Sequence, residues 1–151
     1  MEALSVIWSK GHEAVVVTNQ GCVSKGLISE EELAVIHDHM QAEVIKQTGR
    51  GFLDIRAWTD GENNSEFRKP RPGMILAAAR ERNLDLSRSW LVGDHDRDIK
   101  AAWNAGVTRT IRIRSEQPLG VTSTHMLDST AGLAEILDRV LVKSGVVRTR
   151  A

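Results

Sequence analysis

Ala14-Val15-Val16-Val17-Thr18-Asn19-Gln20-Gly21 is the stretch from which the fold can be read. Four apolar residues, three of them β-branched, run into a threonine without alternating polar positions. That is the pattern of a parallel strand buried on both faces. The polar residues then arrive together, at the strand's carboxyl end, where ligands of parallel α/β sheets bind. A hydroxyl and two amides there suit the oxygens of a phosphoryl group, although Thr and Asn also satisfy ordinary turns.

Outward from this strand, short apolar runs alternate with helical patterns. Ser29 and Glu32 make an S-x-x-E capping box, opening a helix whose predicted buried face is Leu33, Ile36, Met40 and Val44. Phe52 to Trp58 reads as a second strand. Pro72 sits in the first turn of a helix through Ile75, Leu76 and Ala79 that ends near Asn83. Ser89 to Val92 is a third strand, with Gly93-Asp94 at its end. Asp96 to Ala105 is a helix stopped by Gly106. Thr110 to Arg114, alternating apolar and basic, predicts a strand at a sheet edge. Leu133, Ile136, Leu137 and Val140 form a closing amphipathic helix. These elements predict an α/β, Rossmann-like parallel sheet with helices on both faces. A single domain is expected over residues 1–145, with 146–151 a disordered tail.

Composition excludes several function classes. Twenty basic side chains balance twenty acidic ones, so no global field favours nucleic acid or an anionic membrane. Cys22 is the only cysteine, which rules out an intrachain disulfide and a cysteine-rich zinc site. No apolar run approaches the roughly 20 residues of a membrane span, and a cytoplasmic location is expected. No G-x-G-x-x-G or P-loop pattern supports a nucleotide-binding domain. His37 and His39, two residues apart on a helix, point about 200° apart and cannot share a metal.

Two further motifs carry chemistry. Arg68-Lys69-Pro70-Arg71-Pro72-Gly73 places basic side chains at a helix entry, where free N–H groups add partial positive charge. Taken alone, an ordinary basic surface patch is the favoured reading. Leu91-Val92-Gly93-Asp94-His95-Asp96-Arg97-Asp98 follows a buried strand. Asp94 at the strand end is the natural Mg²⁺ ligand, with Asp98, four residues on, and His95 in support. The plainer reading makes Asp94 a helix cap.

The order of the motifs is more specific than any one of them. Thr-Asn-Gln after a strand, Arg-Lys-Pro-x-Pro-Gly before a helix, then Val-Gly-Asp-x-x-x-Asp-Ile-x-Ala-Ala-x-x-Ala-Gly resembles the haloacid dehalogenase superfamily. Within it, the chain is similar to the capless subgroup of heptose 1,7-bisphosphate 7-phosphatases and histidinol phosphatases, from about Ala3 to Leu137. The resemblance implies a Mg²⁺-dependent phosphatase of a small phosphorylated sugar or amino alcohol, with a role in carbohydrate metabolism; a monomer is expected. It implies that Thr18 and Lys69 stabilise the transferring phosphoryl group. Asn19, Gln20, Gly21 and Arg68 would contact substrate, and Asp94 would hold the metal.

The chain departs from the family in one large respect. The family's nucleophilic aspartate and its acid–base partner form an Asp-x-Asp motif on a first, central strand ahead of the Thr-Asn-Gln loop. Here the first aspartate is Asp38, beyond that loop. Asp94-His95-Asp96 has the spacing but the context of the metal motif. The expectation is therefore a domain lacking the first central strand, truncated at its N-terminus relative to the family, with an upstream segment completing the sheet. The alternative is a catalytically inactive module that holds a phosphate ligand. Trp58 to Phe67, where many relatives carry a zinc loop, has neither cysteine nor histidine, and no zinc is predicted.

Overall fold

The computed structural model describes residues 1–143; the sequence-predicted tail at 146–151 lies outside the described residues. Helix α1 (Glu2–Ser9) leads into strand β1 (Val15–Asn19), helix α2 (Glu30–Thr48) and strand β2 (Asp54–Trp58). Then follow α3 (Gly73–Arg82), β3 (Trp90–Gly93), α4 (Asp96–Asn104), β4 (Arg109–Ile113), β5 (His125–Leu127) and α5 (Leu133–Val140). Every strand pairing is parallel, as the α/β alternation requires. The strands form two ladders, β1-β2 and β3-β4-β5, and no pairing joins β1 to β3.

Helices cover both faces. On one side Ile75 of α3 packs with Ala101 and Ala102 of α4, its C-cap Ala105, and Val107, against Val17 and Leu91 from the two ladders. On the other, Ile111 of β4 packs with Leu137 and Leu141, against Ala3, Val6 and Ile7 of α1. The three alanines let α4 lie close to the strands, and Ala101 and Ala102 are fully buried.

The helix ends follow the sequence chemistry. Ser29 accepts from the Glu32 amide at 3.1 Å while Glu32 accepts from the Ser29 amide at 2.8 Å, a complete capping box. Gly106, just past the C-cap of α4, takes φ +87°, a conformation that β-carbon sterics disfavour.

Two expectations are corrected. Ile36 is exposed; the inward stripe of α2 runs through Leu33, His37, Met40, Gln41 and Val44. Steps of four and three keep that stripe on one face, whereas Ile36 falls to its side. And β4 is not an edge strand, since β5 pairs along it. Its Arg112 is fully buried rather than solvated, with Asp96 Oδ1 at 3.7 Å. The three-residue β5 escapes notice because it lies in a polar stretch with no apolar run.

Candidate active site

Lys69 is the centre of the site, and four side chains or carbonyls from two elements, β1 and α4, fix it. Asn19, the last residue of β1, binds the Lys69 peptide twice: its Nδ2 donates to the Lys69 carbonyl at 3.1 Å, and its Oδ1 accepts from the Lys69 amide at 3.0 Å. Asn104 at the end of α4 donates to the Pro70 carbonyl at 2.9 Å. The ammonium then donates to the Val17 carbonyl at 2.7 Å and pairs with Asp98 Oδ1 at 2.8 Å. Both side chains of that pair are about nine-tenths buried, where a charge-assisted hydrogen bond is strong.

Asp98 is in turn part of the first turn of α4. Its Oδ2 accepts from the His95 amide at 3.1 Å, and the His95 ring Nδ1 accepts from the Arg97 amide at 3.2 Å. His95 is thus the N-cap of α4, and Asp98 completes a capping box while holding Lys69. Gly93 makes this possible: a β-carbon there would lie 2.5 Å from Asp98 Cβ. Any side chain would push the carboxylate off Lys69.

Thr18, Lys69, Gly93, Asp94 and Asp98 all line one cleft between the two ladders, at the carboxyl ends of β1 and β3. Three separated sequence segments therefore converge on one place. Asn19, Gln20, Gly21 and Arg68 stand outside that lining. Gln20 Nε2 donates back to the Thr18 hydroxyl at 3.3 Å, and the Cys22 thiol lies 3.6 Å from Gln20 Oε1. At Gly21 a β-carbon would meet Trp58 at an ordinary 3.8 Å, so glycine is not forced there. The Arg68 guanidinium lies over the Trp58 ring, 5.2 Å from its centroid. Its Nε is buried without a hydrogen-bond partner among the described residues.

Asp94 is placed differently from Asp98. Its backbone carbonyl accepts from the Ser115 hydroxyl at 2.7 Å, while the residue itself is exposed on the cleft wall. Among the described residues no three His, Cys, Asp or Glu side chains are grouped to cage a metal. Mg²⁺ binds through one or two carboxylates and completes its shell with water and phosphate oxygens. The donor set here fits an ion held jointly with a phosphorylated ligand, with Asp94 as the protein's contribution.

Sequence reasoning missed Asn104 and the stacking of Arg68 on Trp58. The Asn104 contact had no local signal. The tryptophan ending β2 had one, because an aromatic residue beside a binding arginine is a usual stacking partner.

The fold and this site define a phosphoryl-handling α/β domain. Residues 66–141 match the HAD-hydrolase-like family, about half of the chain, and the chain belongs to that family. It is 32% identical over 123 residues to D-glycero-alpha-D-manno-heptose-1,7-bisphosphate 7-phosphatase of Photorhabdus laumondii, covering 76% of this chain and 67% of that one. It is 29% identical over 151 residues to the D-glycero-beta-D-manno-heptose-1,7-bisphosphate 7-phosphatase of Haemophilus influenzae, covering 93% and 82%. Among solved structures, D,D-heptose 1,7-bisphosphate phosphatase from B. bronchiseptica, complexed with magnesium and phosphate, superposes with a TM-score of 0.76 at 28% identity. That match covers 91% of this chain and 80% of the other. Its kinship is with phosphomonoester hydrolases. No helix among the described residues is long and apolar enough to cross a membrane.

Proposed function

We propose that this chain carries the phosphate-binding half of a Mg²⁺-dependent phosphatase site for a small sugar bisphosphate of the heptose 1,7-bisphosphate kind. The observation that carries the reading is that Thr18, Lys69 and Asp94, from three separated segments, line one cleft. The Thr18 hydroxyl donates to a phosphoryl oxygen. The Lys69 ammonium, already shielded from bulk water, offsets negative charge on that group. Arg68, stacked on Trp58 near the helix entry, reaches the second phosphate or a sugar hydroxyl. Mg²⁺, when bound through Asp94, supplies Lewis-acid polarisation of a phosphoryl oxygen.

The nucleophile is the part this chain does not provide. The aspartates that line the cleft are Asp85, Asp94 and Asp98. Asp98 is consumed by Lys69 and the His95 amide, and Asp85 caps the turn at Leu86–Arg88. Asp94 is the metal ligand. A carboxylate that must attack phosphorus needs a free oxygen in line with the leaving group. None is left for that role.

The test is to titrate residues 1–151 with heptose 1,7-bisphosphate and Mg²⁺ by calorimetry, and to assay phosphate release in parallel. Saturable binding that weakens at least tenfold in Lys69→Ala and in Asp94→Asn, with no release, is the expected result. Failure to bind would remove the phosphate reading. Turnover abolished by Lys69→Ala would overturn the missing nucleophile.

A further inference from the structure

The three side chains that the cleft offers a phosphate are not alike. An ammonium only donates and a carboxylate only accepts, but the Thr18 hydroxyl has one proton and two lone pairs and can do either. Ionised phosphoryl oxygens are acceptors, so Thr18 helps only if its proton points into the cleft. What stands behind the hydroxyl decides that.

Gln20 stands there. Its Nε2 donates to Thr18 Oγ1 at 3.3 Å. Thr18 lines the cleft, whereas Gln20 does not. An amide nitrogen brings protons and no acceptor, so it occupies a lone pair of Oγ1 and leaves the hydroxyl proton for the cleft. Reversed, the same amide would set Oε1 against Thr18 and draw that proton backward, away from any ligand.

The far end of the amide meets Cys22. Its thiol lies 3.6 Å from Gln20 Oε1, within hydrogen-bonding reach for sulfur. The other acceptor near the thiol, the Gln20 carbonyl at 3.7 Å, already accepts from the Val23 amide at 3.3 Å. The side-chain oxygen is therefore the freer partner. A thiol has a proton to give and accepts weakly, so it selects the oxygen end of the amide. The main chain holds both residues in place. The Gln20 amide donates to the Trp58 carbonyl at 2.8 Å, and the Leu27 amide donates to the Cys22 carbonyl at 2.9 Å.

We propose that Gln20 and Cys22 are positioning residues that set the hydrogen-bond polarity of Thr18. The relay runs from the Cys22 thiol to Gln20 Oε1, from Gln20 Nε2 to Thr18 Oγ1, and from the Thr18 hydroxyl to a phosphoryl oxygen. Gln20 thus acts through Thr18 and does not touch the ligand, which departs from what the family resemblance implies for it. The cleft is set to favour a group that only accepts over one that presents a donor at the same point. The proposal rests on the phosphate reading of the cleft.

Two measurements on the full chain test it. In isotope-labelled protein without ligand, nuclear Overhauser contacts should join the Gln20 side-chain N–H protons to the Thr18 methyl group. Contacts to the Cys22 β-protons alone would mean a reversed amide and overturn the proposal. Heptose 1,7-bisphosphate with Mg²⁺ is then titrated by calorimetry into the parent, Gln20→Leu, Cys22→Ala and Cys22→Ser, each also combined with Thr18→Val. Gln20→Leu should weaken binding about three- to tenfold and Cys22→Ala about two- to fivefold, with Cys22→Ser, which keeps a donor, recovering most of the loss. Combined with Thr18→Val, which leaves no hydroxyl to orient, each effect should shrink below about twofold. An equal loss with and without the hydroxyl would make Gln20 a direct ligand contact and overturn the proposal. So would Cys22→Ser binding no better than Cys22→Ala. A parent that does not bind the bisphosphate would remove the phosphate reading and the last link of the relay, while the ligand-free measurement still decides the polarity of the amide.

Discussion

Two buried cations reach carboxylates in the first turn of α4, Lys69 at Asp98 and Arg112 at Asp96, and their surroundings differ. Lys69 comes from the segment before α3 and finds a carboxylate at 2.8 Å and a carbonyl at 2.7 Å. Arg112 comes from β4, is fully buried, and has all three guanidinium nitrogens without a hydrogen-bond partner among the described residues. Its nearest carboxylate oxygen, on Asp96, is 3.7 Å away, while the other oxygen accepts from the Gly120 amide at 2.7 Å. Burying a charge is costly, and only a full set of hydrogen bonds recovers the cost. Lys69 has that set and bridges the two ladders. Arg112 lacks it and sits inside a ladder that backbone pairing already holds.

The contrast can be broken first at Lys69. Lys69→Met strands the Asp98 carboxylate in a buried position and should destabilise the protein by about 3–5 kcal/mol, measured by urea unfolding. A loss below about 1 kcal/mol would mean the pair is no more than a surface contact. Asn19→Ala removes two hydrogen bonds to the Lys69 peptide and should cost about 1–3 kcal/mol. It should also weaken phosphate-ester binding, although Asn19 itself lines no part of the cleft. Arg112→Met should change stability by less than about 1 kcal/mol in either direction, because a fitted apolar chain replaces an unmatched cation. A loss like that of Lys69 would show that Arg112 is held by interactions of equal strength.

A further comparison sets these buried pairs against the half-buried network on β2, where Asp54 and Arg56 meet the more exposed Glu81 and Arg82. Burial pushes the Asp54 carboxyl up, but hydrogen bonds and charge from Arg56 and Arg82 outweigh it and hold it below its ordinary value of 3.8. Its folded-state affinity for protons is thus lower than in the unfolded chain. The stabilisation is complete above the unfolded value and is lost as pH falls through the folded one. Asp54→Asn should therefore lower stability near neutrality by at most about 1 kcal/mol. The difference from the parent should vanish as pH falls through that folded-state value, below 3.8. A difference that persists there would assign the effect to packing.

The sequence made the strands and their order legible wherever apolar runs were uninterrupted, as in Ala14–Val17 and Trp90–Val92. The capping box at Ser29 and the stop at Gly106 were equally local, so they too could be read directly. Ile36 could not be placed, because two helix faces one residue apart differ only in what packs on them. Arg112 looked like a solvent-facing residue because alternation with basic side chains says nothing about a later strand covering the edge. At the site, Thr18 and Asp94 were singled out from strand-end position and Lys69 from its place at a helix entry, and all three line the cleft. Asp98 was read as a supporting residue, but not as the ion-pair partner of Lys69. The two-point bond from Asn19 to the Lys69 peptide was not legible, since an amide paired to a backbone fifty residues away leaves no local trace.

That bond has a consequence for how the molecule can vary. The position of Lys69 is held by β1 and α4, with Asn63, Ser65 and Glu66 bonded to Arg71, Arg68 and Gly73 around it. Only the outer part of the connection, Thr59 to Gly61, is free to change its chemistry while the ammonium stays where it is. The tip of the connection and the ammonium held behind it are mechanically decoupled, so one can drift while the other stands still.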